Sequence, residues 1–235
     1  MPWATLSGYD SQDQISVSAV FSQVDLTDYR LNVQAISASF YDKVEVSLGH
    51  QRFDLKTLGG DIKMNIIGAK YKLYGDAVYS VLPQISIGVQ HKLLEDKGIA
   101  NALGAKGTSG TDIYLAASKI HLDAIAGYNA LWNVTVRATK ANELGLLGFG
   151  GQGNESYKLM FEASAGVLFS RHLAIGIEYR QKPDNLGLKE DDWLDFFVTY
   201  IPSKSVSITA AYTKLGKIAG ADDQNGLYFS INGHL

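Results

Sequence analysis

Apolar and polar residues alternate with a period of two along most of this chain. The clearest case is the stretch from Tyr157 to Asn185, in which each arm keeps its apolar residues on one parity. These apolar sets are Leu159, Phe161, Ala163, Ala165, Val167 and Phe169 in the first arm, and Leu173, Ile175, Ile177 and Tyr179 in the second. A period of two places the two sets on opposite faces of a strand, so the short Arg171-His172 connection predicts an antiparallel hairpin. Each arm is long enough to cross a bilayer as a tilted strand, which takes about 9–11 residues.

Similar segments recur along the rest of the chain. They are Gln14–Val24, Tyr29–Tyr41, Val44–Leu55, Ile62–Tyr74, Leu82–Leu93, Asp112–Leu122, Tyr128–Lys140, Trp193–Ile201, Val206–Leu215 and Asn225–Leu235, with Pro2–Tyr9 as a weaker first candidate. Within Tyr29–Tyr41 the apolar parity changes after Ala35, which predicts a β-bulge at that residue. The count is about thirteen, whereas bacterial single-chain barrels have an even number of strands, so we expect a preceding strand to be missing from the chain.

The connections between these segments alternate in length. Those after Tyr41, Tyr74, Leu122, Phe169 and Ile201 are short, and those after Leu55, Leu93, Lys140, Lys182 and Leu215 are longer and rich in Gly or Asp. Short turns at one rim and long loops at the other are typical of outer-membrane barrels, in which the short turns are periplasmic. The long loop at 95–110 contains IANALGA, which predicts one or two helical turns.

A soluble barrel or sandwich would show the same alternation, with its apolar face inside. Three features favour the membrane barrel: the strands exceed the usual length of about five or six residues, charged residues stand in mid-strand, and aromatic residues cluster near strand ends. The aromatic set is Tyr29, Phe40, Tyr71, Tyr128, Phe169, Tyr179, Tyr200 and Tyr212. We therefore predict an all-β, antiparallel transmembrane (outer-membrane) β-barrel of about 12–14 strands, forming one domain over residues 1–235.

The composition agrees with this architecture and excludes several classes of function. The chain has 235 residues, 24 Gly, 13 Tyr, only 4 Pro and no Cys, so no disulfide framework or thiol nucleophile exists. A net charge of −3 argues against a nucleic-acid-binding surface. The start of the chain has no basic and apolar signal-peptide regions, so we expect a mature or trimmed form.

Three stretches resemble a family of proteobacterial outer-membrane proteins known only as a domain of unknown function. They are RATKANELGLLGFGG at Arg137–Gly151, EYRQKPDNLG at Glu178–Gly187 and VEVSLGHQRFD at Val44–Asp54. The resemblance covers nearly the whole chain and implies a barrel in the bacterial outer membrane of a Gram-negative cell. It implies contact with outer-membrane lipid and lipopolysaccharide, and with the barrel-assembly machinery during insertion. It brings no catalytic residues, cofactor or metal.

The sequence offers weak candidates for chemistry. Gly148, Gly150 and Gly153 match the G-x-G-x-x-G dinucleotide fingerprint, but they lie between antiparallel strands, where a flexible glycine-rich loop is the better interpretation. His50 and His172 could serve a hydrolase at a barrel rim, yet no serine or aspartate is marked as a partner. Acidic loop residues (Glu190, Asp191, Asp192, Asp222 and Asp223) lack a cation-binding spacing. We expect no enzymatic activity.

Charged residues share the polar parity that would face the lumen. They are Glu45, Lys70, Lys72, Lys92, Arg137, Lys158, Glu162, Glu178, Arg180, Lys182 and Asp195. Either they line a water-filled porin-like channel for small polar or anionic solutes, because basic groups outnumber acidic ones, or they form a salt-bridge lattice that stiffens an occluded lumen. The first hypothesis is passive transport, the alternative is a structural or partner-binding barrel, and a rim hydrolase is the third.

Overall fold

The computed structural model describes residues 1–7, 15–151 and 155–235. Gln14, Gly153 and the last two residues of the predicted segment Pro2–Tyr9 lie outside the described residues. Within the described part, twelve antiparallel strands form a closed barrel in which chain neighbours pair and the last strand pairs with the first. The strands are β1 (Ile15–Leu26), β2 (Tyr29–Phe40), β3 (Val44–Leu55), β4 (Asp61–Tyr74), β5 (Gln84–Leu94), β6 (Ser109–Ile125), β7 (Tyr128–Thr139), β8 (Lys158–Ser170), β9 (Leu173–Arg180), β10 (Trp193–Ser203), β11 (Val206–Lys214) and β12 (Asn225–His234).

The predicted all-β barrel of about 12–14 strands is confirmed, but the count of thirteen was wrong. Residues 1–7 form no strand, and the barrel closes directly between β1 and β12, with Ser18 opposite His234 and Leu26 opposite Gly226. Closure therefore needs no further strand, and an even number satisfies the usual pairing of bacterial barrels. One short helix, α1 (Gly98–Ala102), lies in the loop where helical turns were predicted. No helix in the described residues has the length and apolar character needed to cross a membrane.

The two rims of the barrel differ in the connections that they carry. The short-turn rim has the connections 41–43, 75–83, 126–127, 171–172 and 204–205, of which only 75–83 is longer than predicted. The long-loop rim has the turn 27–28 and the loops 56–60, 95–108, 140–157, 181–192 and 215–224, with residues 152–154 not described. Because the number of strands is even, β1 starts and β12 ends at the short-turn rim.

The outer face of β1–β4 changes character halfway along the strands. Toward the short-turn rim it is apolar (Ile15, Val17, Phe21, Ile36, Val46, Leu48, Ile67 and Tyr71 among others). Toward the long-loop rim the same parity carries Gln23, Asp25, Arg30, Asn32, Gln34, His50, Arg52, Asp54, Asp61, Lys63 and Asn65. The predicted bulge at Ala35 was wrong, since β2 pairs with both neighbours without a register shift. The parity change is instead an inversion of polarity on a regular strand.

The inverted region packs an apolar core inside the barrel. Inward-facing Tyr29, Leu31, Phe53, Ile62 and Met64 of β2, β3 and β4 form one buried cluster with apolar residues of the long loops. The rings of Tyr29 and Phe53 stack with centroids 4.9 Å apart. The expectation that Tyr29 belongs to a membrane-interface girdle was therefore wrong, because this ring points into the barrel and is buried.

Candidate functional site in the barrel lumen

The charged residues predicted to face the lumen lie on the inward parity of their strands. Glu45, Lys70, Lys72, Lys92, Arg137, Glu162, Arg180 and Lys182 are buried, while Lys158, Glu178 and Asp195 are half-buried. Lys182 lies two residues beyond the end of β9, beneath the long loops rather than on the strand wall. Whether any of these side chains selects solutes stays a prediction.

Six of the luminal charges form a continuous ion network across β5–β9. Lys92 Nζ lies 2.6 Å from Asp112 Oδ2, which also accepts a bond of 3.1 Å from Arg137. Arg137 Nε donates to Glu162 Oε1 at 2.8 Å, and Arg180 contacts Glu162 at 3.7 Å. Glu178 lies 3.5 Å from Arg180 and 3.3 Å from the terminal ammonium group of Met1. Three basic and three acidic side chains alternate, so the charges of these six side chains sum to zero.

A second set of contacts holds residues 1–7, the N-terminal segment, inside the lumen near the short-turn rim. Lys70 Nζ is 3.1 Å from Glu45 and donates to the carbonyl oxygen of Thr5 at 2.7 Å. The backbone N–H of Ser7 donates to Glu45, and the backbone N–H of Ala4 donates to Ser118 Oγ at 2.9 Å. The side chain of Ala4 is fully buried against Tyr114 and Ala116. This segment therefore narrows the lumen from the short-turn side.

A chamber of about 590 Å³ lies between the N-terminal segment and the long loops. Its lining includes Lys92, Arg137, Glu178 and Arg180, together with aromatic residues such as Trp193. Five buried polar atoms on its lining residues have no hydrogen-bond partner among the described residues: Gln51 Oε1, Ser164 Oγ, Arg180 Nε, Trp193 Nε1 and Asp195 Oδ1. Buried polar groups of this kind are normally satisfied by water or a ligand, so the chamber suits water or a small polar solute.

The long loops close the other end of the lumen, and we call the residues 95–108, 140–151, 181–192 and 215–224 together the loop plug. Leu146, Leu147 and Ile218 of the plug are at most 2% exposed and pack in the cluster with Ile62 and Met64 of the barrel wall. Hydrogen bonds join the loops to one another. Phe149 pairs with Gly107 across two loops, and the Asn185 side chain donates to Asn142 Oδ1 at 3.1 Å.

Lys182 is the polar centre of the loop plug. Its Nζ lies 3.2 Å from Glu143 Oε2 and 3.3 Å from Glu190 Oε2, and it donates to the carbonyl oxygens of Leu215 and Lys217. One lysine thus ties three loops together. Burial raises the pKa of Glu143 to about 7, with the Glu190 carboxylate adding to the rise and Lys182 opposing it.

The glycine-rich motif serves the packing of the plug. Gly148 and Gly150 have φ of +78° and +63°, and in the described part of the chain no helix follows them to receive a pyrophosphate. A Cβ on Gly148 would come within 2.7 Å of Ala105 Cβ and 2.8 Å of the Gly107 carbonyl oxygen. The expected loop is therefore present, but its glycines allow close packing against the neighbouring loop.

The two candidate histidines lie far apart, His50 midway along β3 and His172 in the turn between β8 and β9. His50 Nδ1 contacts Asn65 Oδ1 at 2.9 Å on the outer face, and His172 Nδ1 contacts the Ile201 carbonyl oxygen at 2.7 Å at the short-turn rim. Among the acidic loop residues, Glu190 accepts bonds from Lys182 and from the backbone N–H of Ala219. Each of these contacts holds a side chain in place. In the described part of the chain, neither imidazole ring contacts a serine hydroxyl that could act as a nucleophile.

Sequence reasoning missed several residues of the lumen. Asp112 joins two cations, but both parities of its segment are apolar, so its direction could not be assigned from alternation. Asp42, Glu143 and Glu190 lie in turns and loops, where no periodicity applies, yet they pair with Lys72 or Lys182. These four carboxylates offset the excess of basic groups on which the predicted anion preference rested.

The barrel is similar to several solved outer-membrane barrels. The "KdgM porin" matches with a TM-score of 0.60 and 10% sequence identity, and the match covers 92% of this chain and 98% of that one. The outer membrane protein Omp33 of Acinetobacter baumannii matches with a TM-score of 0.55 and 7% identity, covering 94% of this chain and 98% of that one. LpxR from Salmonella typhimurium matches with a TM-score of 0.53 and 12% identity, covering 93% of this chain and 99% of that one. At such identities the likeness shows the fold alone. A search of curated proteins gives no match.

A family model described as "Protein of unknown function (DUF3034)" matches residues 1–232. The match spans nearly the whole barrel, from the N-terminal segment to β12. It agrees with the resemblance that the three sequence stretches indicated. The chain, itself an outer-membrane-type β-barrel of twelve strands, therefore belongs to the DUF3034 family.

Proposed function

We propose that this protein resides in the bacterial outer membrane as an occluded barrel, with a structural or partner-binding role rather than passive conduction. The observation that carries the proposal is the loop plug, whose buried apolar side chains fill the lumen at the long-loop rim. Exposed large apolar residues cover the outer surface of the barrel except on the long-loop half of β1–β4, as contact with lipid requires.

The size of the apolar contact supports a closed lumen. Exposing a fully buried aliphatic side chain to water costs roughly 1.5–3 kcal/mol. Withdrawing Leu146, Leu147 and Ile218 together would then cost on the order of 5–9 kcal/mol. An open state at that free energy would be populated less than about once in a thousand. Passive diffusion through so rare a state would be slow.

A porin-like channel for small polar or anionic solutes is the second candidate. It is supported by the charged chamber of about 590 Å³ and by the similarity of fold to the "KdgM porin". It would require the plug to leave the lumen. The neutral ion network supports little preference for anions, because each cation of that network already has a carboxylate partner.

We also propose that the protein is not an enzyme. A rim hydrolase using His50 or His172 is the third candidate, and it has little support because His50 lies in mid-strand on the outer face and His172 contacts a backbone carbonyl oxygen. If a lipid-hydrolysing activity were found in the purified barrel, its loss in His50→Ala or His172→Ala would revive this candidate.

Solute entry into proteoliposomes tests the proposal. Vesicles containing the refolded barrel should swell no faster in a pentose or a small sugar acid than protein-free vesicles do. A variant lacking residues 142–148 should swell faster, which would verify that the barrels are inserted. Rapid swelling with the unmodified protein would favour the porin-like channel instead.

A further inference from the structure

The polar outer face of β1–β4 contains a groove of about 380 Å³ lined by Phe21, Asn32, Gln34, His50, Arg52 and Lys63. Strand register places these residues in two adjacent rows across the strands. The lower row, nearer the short-turn rim, holds Phe21, Gln34 and His50, and the upper row, nearer the long-loop rim, holds Asn32, Arg52 and Lys63. The lining holds two fixed cations, an imidazole, two amides and one aromatic ring, and it holds no carboxylate. The lining therefore presents two cationic side chains among neutral hydrogen-bonding groups.

Two neighbouring carboxylates form ion pairs with Arg52 and Lys63, and both basic side chains stay exposed to solvent. Arg52 Nε lies 2.9 Å from Asp54 and 2.7 Å from Asp61, which also lies 3.7 Å from Lys63. Both carboxylates belong to the next row toward the long-loop rim. The side chains of Arg52 and Lys63 remain 55% and 44% exposed, so they can still bind an anion from the solvent side.

The row immediately below the groove is apolar. Ile36, Leu48 and Ile67 stand side by side in register on β2, β3 and β4, and all three are exposed on the outer surface. The groove thus lies at the boundary between a surface suited to hydrocarbon and one suited to water. An occupant that is complementary to both would carry an anionic, hydroxyl-rich head and apolar chains.

We infer that this groove binds the phosphorylated sugar headgroup of an outer-leaflet lipid. Arg52 and Lys63 would bind a phosphate, for which an arginine fork and a lysine ammonium are well suited. The amides of Asn32 and Gln34 would bind sugar hydroxyls, and the acyl chains would lie along Ile36, Leu48 and Ile67. Such a lipid would be a partner for the occluded barrel proposed above. The lipid site rests on the proposed function only in requiring that the barrel lie in the outer membrane.

Native mass spectrometry of the folded barrel with added bisphosphorylated lipid A tests the inference. The unmodified protein should bind lipid A more tightly than the same lipid without its phosphates. The variant R52Q/K63Q should lose about tenfold in affinity, because charge-assisted hydrogen bonds to phosphate are removed. The variant H50A, which keeps both cations, should lose less.

The matched control is K97Q/K189Q, which removes two exposed lysines from the long loops and so changes net charge equally. It should bind lipid A as the unmodified barrel does. Equal affinity of R52Q/K63Q and the unmodified barrel, or equal binding of the dephosphorylated lipid, would overturn the inference. Solute-entry measurements do not depend on this groove, so failure of the lipid site and failure of the occluded-barrel proposal can be told apart.

Discussion

Arg137 illustrates how a charge is kept inside the wall of this barrel. Its guanidinium group bonds to Asp112, Glu162 and the side chain of Gln90, and it is almost fully buried. Removing one member of a buried ion network leaves the other charges unpaired, which destabilises a protein more than the pair itself stabilised it. The contacts therefore give Arg137 a structural role whether or not solutes pass it.

Arg137→Gln should lower the free energy of unfolding by roughly 3–5 kcal/mol, because Asp112 and Glu162 lose their shared cation. Equilibrium unfolding in urea, followed by tryptophan fluorescence in lipid vesicles, measures the change. The control is Lys158→Gln, since Lys158 makes only a long contact of 3.4 Å to the Asp184 carbonyl oxygen in the described part of the chain. A stability loss equal to that of the control would show that the network is dispensable.

Gly148 illustrates a second requirement at the scale of one residue. Gly148→Ala should destabilise the loop plug by roughly 1 kcal/mol for its positive φ, and by a further 1–3 kcal/mol for overpacking against Ala105 and Gly107. Hydrogen exchange of residues 141–149 reports the stability of the plug. Gly187 also has a positive φ, of +72°, but its Cβ would meet no atom within 4 Å. Gly187→Ala should therefore show only the cost of the positive φ. Equal losses of stability in Gly148→Ala and Gly187→Ala would contradict the packing role of Gly148.

At the scale of elements, the loop between β7 and β8 depends on the protonation of Glu143. The pKa of this carboxyl is about 7 in the folded protein against an ordinary value of 4.5, so folding favours the protonated form. The contribution of Glu143 to stability is therefore fully present below pH 4.5 and is lost as the pH rises through about 7. The Glu190 carboxylate, which shares Lys182 with Glu143, is the repulsive neighbour when both are charged.

Protection of residues 142–149 from hydrogen exchange should consequently decrease between pH 5 and pH 8 after correction for the intrinsic exchange rate. Glu143→Gln should remove most of that decrease, because the amide stays neutral and can still accept a bond from Lys182. Asp96→Asn, which neutralises an exposed carboxylate of the loop between β5 and β6, should leave the decrease unchanged. Protection that rises with pH in the unmodified protein would contradict the assignment.

Strand alternation predicted the barrel wall well and the long-loop half poorly. The hairpin of β8 and β9 follows its pattern throughout, because lipid outside and charged groups inside impose one polarity along both arms. In β1–β4 the polarity inverts, since the loop plug supplies an apolar environment inside the barrel. A single sequence shows that inversion only as a change of parity, which a bulge would also produce. The fold of the loops depends on tertiary contacts that have no period.

At the scale of the whole molecule, the lumen is closed by two unrelated parts of the chain. The N-terminal segment narrows it near the short-turn rim through polar contacts, and the loop plug fills it at the other rim through apolar contacts. Parity could predict that charges face the lumen, but not that loops enter it. We propose that the loop plug, rather than the charged wall, determines whether the barrel conducts.

Single-channel recording in planar bilayers measures whether individual barrels conduct. The unmodified barrel should give no stable conductance steps, and L146S/L147S/I218S should give steps because the plug loses its apolar contacts. The control L58S/V81S/L82S makes the same kind of change at three exposed positions and should stay silent. Stable steps from the unmodified barrel, with the same conductance as the plug variant, would show that the loop plug does not close the lumen.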